Sequence, residues 1–151
     1  MTNKNYERGY RPELRLMRAI EDLHPQAWSE RSHASKGTFD VVACLPWGLY
    51  LIQVKRTASP FKSLKAAETR FKEDLDQIRA VPFCPFVHRW IALYEARTIG
   101  KATGTWRIFE ICGTENILLE HAVSGRIGPV LEEAMHCAIR RDTQGAGGMS
   151  T

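Results

Sequence analysis

The chain has 151 residues, with 21 lysines and arginines against 17 aspartates and glutamates, a formal charge of +4 and 44% apolar residues. That length suits one domain with one core, and the composition excludes collagenous, mucin-like and disordered classes. Apolar runs such as Trp90-Ile91-Ala92-Leu93-Tyr94 fall far short of the ~20 residues of a bilayer span. Met1 to Arg11 is polar where a secretory signal needs an apolar stretch. A cytoplasmic protein that makes no membrane contact is expected, in the host cytosol if the chain is viral.

In chain order, Pro12 suits the first position of a helix that carries Leu16, Ile20 and Leu23 at i, i+4 and i+7 and stops before Pro25. Strands are predicted over 38–45 and 49–56, joined as a hairpin through Pro46-Trp47-Gly48. Over 63–80, Leu64, Ala67, Phe71, Leu75 and Ile78 recur at helical spacing, closed by Pro82 and Pro85. Strands over 88–95 and 105–112 follow, then a helix over 130–140 after Gly128-Pro129. The order α-β-β-α-β-β-α predicts an α/β fold, a mixed central sheet flanked by helices, in one domain over 1–141 with a flexible tail over 142–151.

Cys44, Cys84, Cys112 and Cys137 are scattered singly, with no C-x-x-C and no Cys/His cluster at zinc-ligand spacing, so they are expected to be reduced and mostly buried thiols. His24, His88, His121 and His136 also lack ligand spacing, and only His33, in the loop before Asp40, is a functional candidate. Trp28, Trp47, Trp90 and Trp106 suit a core or interface rather than base-stacking platforms, with Trp47 placed at a hairpin tip.

The chemistry-bearing stretch is Asp40-Val41-Val42-Ala43 followed by Gln53-Val54-Lys55. A turn centred near Trp47 pairs residues whose numbers sum to about 94, setting Val41 opposite Gln53 with Asp40 one position away. Gln53 and Lys55 share a strand face, with Val54 turned to the core. Asp40 offers Mg²⁺ a hard oxygen, Gln53 a neutral side-chain carbonyl and Val54 its main-chain carbonyl. Lys55 is then placed beside a phosphate. Glu13 is a further carboxylate on the first helix, where it also reads simply as a favourable charge in the first turn.

Taken in order, Gly9-Tyr10-Arg11-Pro12-Glu13, Arg31, Ser35-Lys36-Gly37, Asp40-Val41-Val42-Ala43 and Ile52-Gln53-Val54-Lys55 resemble the motifs of the PD-(D/E)XK nuclease superfamily. Within it the chain looks like the archaeal-type Holliday junction resolvases. The resemblance covers roughly residues 6 to 57; the second half agrees in element order alone. Phe39 stands where the family usually has Pro, and Gln53 where it has Glu or Asp, which lowers the negative charge available to a metal.

The resemblance implies a restriction-endonuclease-like fold and Mg²⁺-dependent hydrolysis of phosphodiester bonds at four-way DNA junctions, with Mn²⁺ able to substitute. A homodimer would make paired nicks. Glu13, Asp40, Gln53 and Lys55 would be catalytic, and Glu13, Asp40, Gln53 and Val54 would hold the metal.

Basic residues fit a DNA partner. Arg11, Arg15 and Arg18 form one helical stripe preceded by Arg8, and Lys55, Arg56, Lys62 and Lys65 lie in a segment with few acids. Arg31 suits a phosphate clamp, with Ser35 and Lys36 beside it. Dimerisation is expected through Val81-Pro82-Phe83-Cys84-Pro85-Phe86 or through aromatics of the later strands. Alternatives are a restriction-like or repair nuclease of the same superfamily, a catalytically silent nucleic-acid-binding module, and a small basic α/β protein whose motif match is accidental.

Overall fold

The computed structural model describes residues 4–32, 37–58, 63–96, 104–121 and 125–147, with side chains described from 12 to 137 within those stretches. The chain runs α1 (Lys4–Leu23), β1 (Trp28–Arg31), β2 (Val41–Leu45), β3 (Gly48–Thr57), α2 (Leu64–Arg70), α3 (Lys72–Ala80), β4 (Val87–Glu95), β5 (Thr105–Cys112), β6 (Ile117–Glu120) and α4 (Ile127–Gly147). The strands form one mixed sheet in the order β1-β2-β3-β4-β5-β6. Its single parallel step joins β3 to β4. A parallel step needs a crossover, and α2 with α3 supplies it. The expected α/β layering is therefore present.

Side chains alternate across the sheet and divide the core in two. Trp90 and Ala92 of β4 and Trp106 and Ile108 of β5 join Leu16 and Ile20 of α1 and Val130, Leu131, Ala134 and Met135 of α4. The odd-numbered Ile91, Leu93, Phe109 and Ile111 face Ala67, Phe71, Leu75 and Ile78 of the crossover helices. Phe39, standing where Pro was expected, packs against this second cluster.

Several expectations need correction. α1 begins at Lys4, so Pro12 lies inside the helix and is buried. An interior Pro forfeits one backbone hydrogen bond and costs about 3 kcal/mol; fully buried Leu16 and Ile20 hold the following turns against the sheet. Glu13 is consequently far from the first turn, and the helix-dipole explanation of it fails.

The hairpin turns on two residues, Pro46 and Trp47, so the register pairs Val41 with Ile52 and Leu45 with Gly48, a sum of 93. Asp40 then lies just beyond the last paired residues, Val41 and Ile52. Trp47 Nε1 donates to Tyr50 Oη at 2.9 Å, which ties the tip down.

The predicted single helix over 63–80 is two, α2 and α3, meeting at Phe71, whose backbone leaves the helical region (φ −106°, ψ 25°). Ser63 caps α2, its Oγ accepting from Ala66 N at 3.1 Å. Two short strands, β1 and β6, are additions to the predicted order. α4 starts earlier than predicted and continues through Gly147. None of the four cysteines is buried: all are free, Cys44 and Cys84 exposed, Cys112 and Cys137 half-buried. No helix among the described residues is long and apolar enough to cross a membrane.

Candidate active site

Pairing of β2 with β3 stops at Val41–Ile52 while β3 runs on to Thr57. Asp40 occupies the gap. Its backbone N donates to Ile52 O at 2.9 Å, and its carboxylate Oδ2 accepts from Val54 N at 2.8 Å. Backbone groups of strand residues two apart point to the same edge, so the Val54 carbonyl, like that of Ile52, opens toward Asp40.

Burial pushes the Asp40 carboxyl up, opposed by the Val54 N–H and by the charges of Lys55 and Arg31 and reinforced by Asp74. Glu13 projects from α1 toward the same end of the sheet, where Arg31 of β1 donates Nε–H to its Oε2 at 2.5 Å. Its carboxyl is also raised, first by burial and further by the nearby Asp40 charge, against the pull of Arg31. Two partly buried carboxyls whose charged forms are disfavoured, each by burial and by a neighbouring carboxylate, define a place where a cation is favoured.

Gln53 and Lys55 share one face of β3, as predicted, and that face meets α3. Asp74 of α3 receives both: Gln53 Nε2 donates to Asp74 Oδ1 at 3.0 Å, and Lys55 Nζ lies 2.9 Å from the same oxygen. The bond to Asp74 fixes the orientation of the Gln53 amide. It leaves Gln53 Oε1 buried without a hydrogen-bond partner among the described residues, on a side chain only 7% exposed.

A buried carbonyl oxygen with no donor is costly, and beside carboxylates it has the character of a cation ligand. The residues present thus fit a hard divalent metal. Asp40, Glu13, Gln53 Oε1 and the Val54 carbonyl are oxygen donors of the type Mg²⁺ takes.

Glu13, Asp40, Gln53, Val54, Lys55 and Arg31 therefore gather at one end of the sheet. Arg15 and Arg56 flank them around Tyr94: Arg15 lies 5.7 Å and Arg56 6.0 Å from the ring centroid, and Arg15 Nη1 donates to Tyr94 Oη at 3.4 Å. Both arginines are exposed, as are Arg18 and Lys65. The side chains of Arg8 and Arg11, and His33, Ser35, Lys36 and Lys62, lie outside the described residues. Of the tryptophans, Trp90 and Trp106 are buried as expected, whereas Trp28 is exposed.

No family model matches this chain, and no curated protein matches it. Among solved structures, the chain is similar to Hjc of Archaeoglobus fulgidus, a Holliday junction resolvase from an archaeal hyperthermophile. The two share 17% identity with a TM-score of 0.36, over 86% of this chain and 98% of that chain.

Asp74 is a site residue that the sequence reading did not single out. A signal was present. Asp74 follows Phe71 by three positions and precedes Ile78 by four, so it flanks the buried stripe instead of opposing it. Asp76, two positions on, is exposed and pairs with Lys72 at 3.1 Å.

Proposed function

We propose that this chain is a metal-dependent DNA endonuclease that nicks four-way junctions as a homodimer. The observation that carries the reading is the orphaned, buried Gln53 Oε1 on a side chain bonded to Asp74, which also holds Lys55, next to the Val54 N–H that the Asp40 carboxylate binds. An uncharged core position has no need of that arrangement. Counting Asp74 and Glu13 with Asp40, three carboxylates oppose the two cations Arg31 and Lys55, so the cluster retains a net negative charge even with an amide at position 53.

Asp40, Glu13, Gln53 and the Val54 carbonyl would hold Mg²⁺ or Mn²⁺. When bound, such an ion supplies Lewis-acid polarisation of a phosphoryl oxygen and a water of lowered pKa. Lys55, held by Asp74 on its other side, presents its ammonium toward charge that develops on the phosphate. Arg31, oriented by Glu13, offers a planar guanidinium suited to a non-bridging phosphate oxygen. Arg15 and Arg56 extend the cationic surface away from the cluster, where flanking phosphates would lie. Two subunits related by a two-fold axis match the symmetry of a junction, each addressing one strand.

The test is incubation of the protein with a labelled four-way junction and with matched linear duplex, in Mg²⁺ and in EDTA. Paired nicks in the junction alone, abolished by EDTA, are expected. Equal cutting of duplex would replace this reading with a restriction-like or repair nuclease. Junction binding that persists in EDTA with no cleavage in either Mg²⁺ or Mn²⁺ would replace it with a binding module. The Arg31–Glu13 pair is the observation that favours that last alternative, because it neutralises one of the acids.

A further inference from the structure

At the opposite end of β4 and β5, on the face covered by α1 and α4, lies a second cluster of ligating side chains. Glu110 and Cys112 alternate on β5, so they share a face, and His121 follows β6 immediately; their ligand atoms all lie within 4.8 Å of one another. Glu110 is 5% and His121 6% exposed.

The carboxylate is divided in its contacts. Oε1 accepts from Trp90 Nε1 at 2.6 Å and is bonded to His88 Nδ1 at 2.9 Å, which anchors it. Oε2 faces Cys112 Sγ at 3.1 Å and His121 Nε2 at 3.1 Å. His121 Nε2, fully buried, has no other hydrogen-bond partner among the described residues. A carboxylate oxygen, a thiol sulfur and an imidazole nitrogen gathered this closely are disposed as co-ligands.

From this geometry we infer that Glu110 Oε2, Cys112 Sγ and His121 Nε2 form a Zn²⁺ site with its fourth position open to water. Atoms 2.0–2.3 Å from one ion at the tetrahedral angle stand about 3.3–3.5 Å apart, so the two 3.1 Å separations from Glu110 Oε2 need only a small expansion. A thiolate, an imidazole and a carboxylate are the donor set zinc prefers over Mg²⁺. Trp90 and His88 supply the outer contacts that orient a ligating carboxylate.

A cavity of about 460 Å³ lined by Glu110, Cys112, His88 and Cys84 adjoins the cluster and gives an ion and its water a way in. Binding releases the Cys112 thiol proton to solvent, and His121 would offer its Nε2 lone pair. The ion would clamp β5 to the end of β6, independently of the cluster around Asp40.

Chelator-stripped protein is titrated with Co²⁺. A sulfur-to-cobalt charge-transfer band with intense visible bands of four-coordinate cobalt is expected at one equivalent, displaced by Zn²⁺. Cys112→Ser should lose the charge-transfer band and weaken binding by at least ~10-fold, while Cys84→Ser and Asp40→Asn keep both. Should Cys112→Ser not fold, the wild-type chain decides: Zn²⁺ must protect one of its four thiols, Cys112, from alkylation. No cobalt–thiolate band and no protection in folded wild-type protein would reduce the cluster to a hydrogen-bond network. A band that survives Cys112→Ser but is lost in Cys84→Ser would overturn the ligand set.

Discussion

Exchanging the charges of Gln53 and Asp74 tests whether the carboxylate absent from β3 has been supplied by α3. In Gln53→Glu two carboxylates meet where Nε2 now donates to Asp74 Oδ1 at 3.0 Å. At that separation and an effective dielectric of 20 the bare repulsion is about 5–6 kcal/mol. Lys55, 2.9 Å from the same oxygen, offsets much of it, and Asp74 and Lys55 are 24% and 31% exposed. After solvent screening a loss of about 1–2 kcal/mol in the metal-free protein remains. Added Mg²⁺ should reverse it, so Gln53→Glu is expected to show a lower Tm without metal and a larger Mg²⁺-induced rise.

Asp74→Asn keeps an oxygen where Gln53 and Lys55 need one but removes its charge. Stability should move by no more than ~1 kcal/mol, while the Mg²⁺ concentration for half-maximal nicking rises about 10- to 100-fold. The double variant moves the carboxylate from position 74 to 53 and leaves an amide to donate across the pair. Its Mg²⁺ requirement should return to within a few fold of wild type, a non-additivity diagnostic of direct coupling. The assay is the initial nicking rate across a Mg²⁺ titration, paired with melting curves with and without metal. An unmoved Mg²⁺ curve in Asp74→Asn, or strictly additive effects in the double variant, would refute the reasoning.

Asp40→Asn should retain junction affinity, lose cleavage and melt higher than wild type without metal, since a carboxyl raised by burial is costly in its charged form. For the same reason, with folded values of Glu13 and Asp40 above those of the unfolded chain, metal-free stability should grow as pH falls through the raised values, while the nicking rate declines over that window. Arg15→Ala and Arg56→Ala should each flatten the salt dependence of DNA binding by about one ion in the log–log slope, measured by titration at several salt concentrations. Arg89→Met removes a buried guanidinium that donates to Val81 O at 2.7 Å, Asn116 Oδ1 at 2.9 Å, Gly113 O at 3.1 Å and Ile111 O at 3.2 Å. Stranding those acceptors should cost about 3–5 kcal/mol and lower Tm by roughly 10 °C in calorimetry.

What the sequence made legible follows from how each element declares itself. β5 was predicted at its observed bounds because a turn-rich segment and a Gly bracket an alternating run. The apolar spacing of 64–78 placed Ala67, Phe71, Leu75 and Ile78 on one buried face, but periodicity carries no information about the local break at Phe71. β1 was illegible: Trp28–Arg31 is short, polar and exposed on alternate residues, and it exists because β2 offers it an edge. The terminal helix rule misplaced the start of α1, since Pro favours a first turn only statistically. Hairpin arithmetic came within one residue: Pro46 and Trp47 form the whole turn, and Gly48 belongs to β3.

At the candidate site, the residues on β2 and β3 could be read because short-range pairing dictates where they meet. Asp74 could not be placed the same way. Its partnership with Gln53 and Lys55 spans the crossover and depends on how α3 docks, a tertiary fact with no local signature beyond its position on the flank of a buried stripe. Glu110, Cys112 and His121 show the same limit. Ligand spacing along the chain is a poor guide when a strand pair and its turn bring the donors together.

The length mismatch between β2 and β3 explains why chemistry would concentrate where it does. Five residues of β2 cannot satisfy ten of β3, so beyond Ile52 the outer edge of β3 presents backbone groups that no strand among the described residues pairs. A longer β2 would close that edge and bury it. Asp40, set where the short strand begins, satisfies the Val54 N–H with its side chain and leaves the neighbouring carbonyl facing a carboxylate. That pairing is unfavourable unless something positive lies between them. The parallel neighbour β4 keeps the opposite edge of β3 fully engaged through Thr57–Glu95, so Gln53 and Lys55 are held rigidly while the gap beside Asp40 stays open. Extending β2 by altering 37–39 to strand-forming residues should therefore stabilise the hairpin and close the gap, trading metal response for Tm. A variant that gains stability and keeps its Mg²⁺ dependence would show that the open edge is incidental.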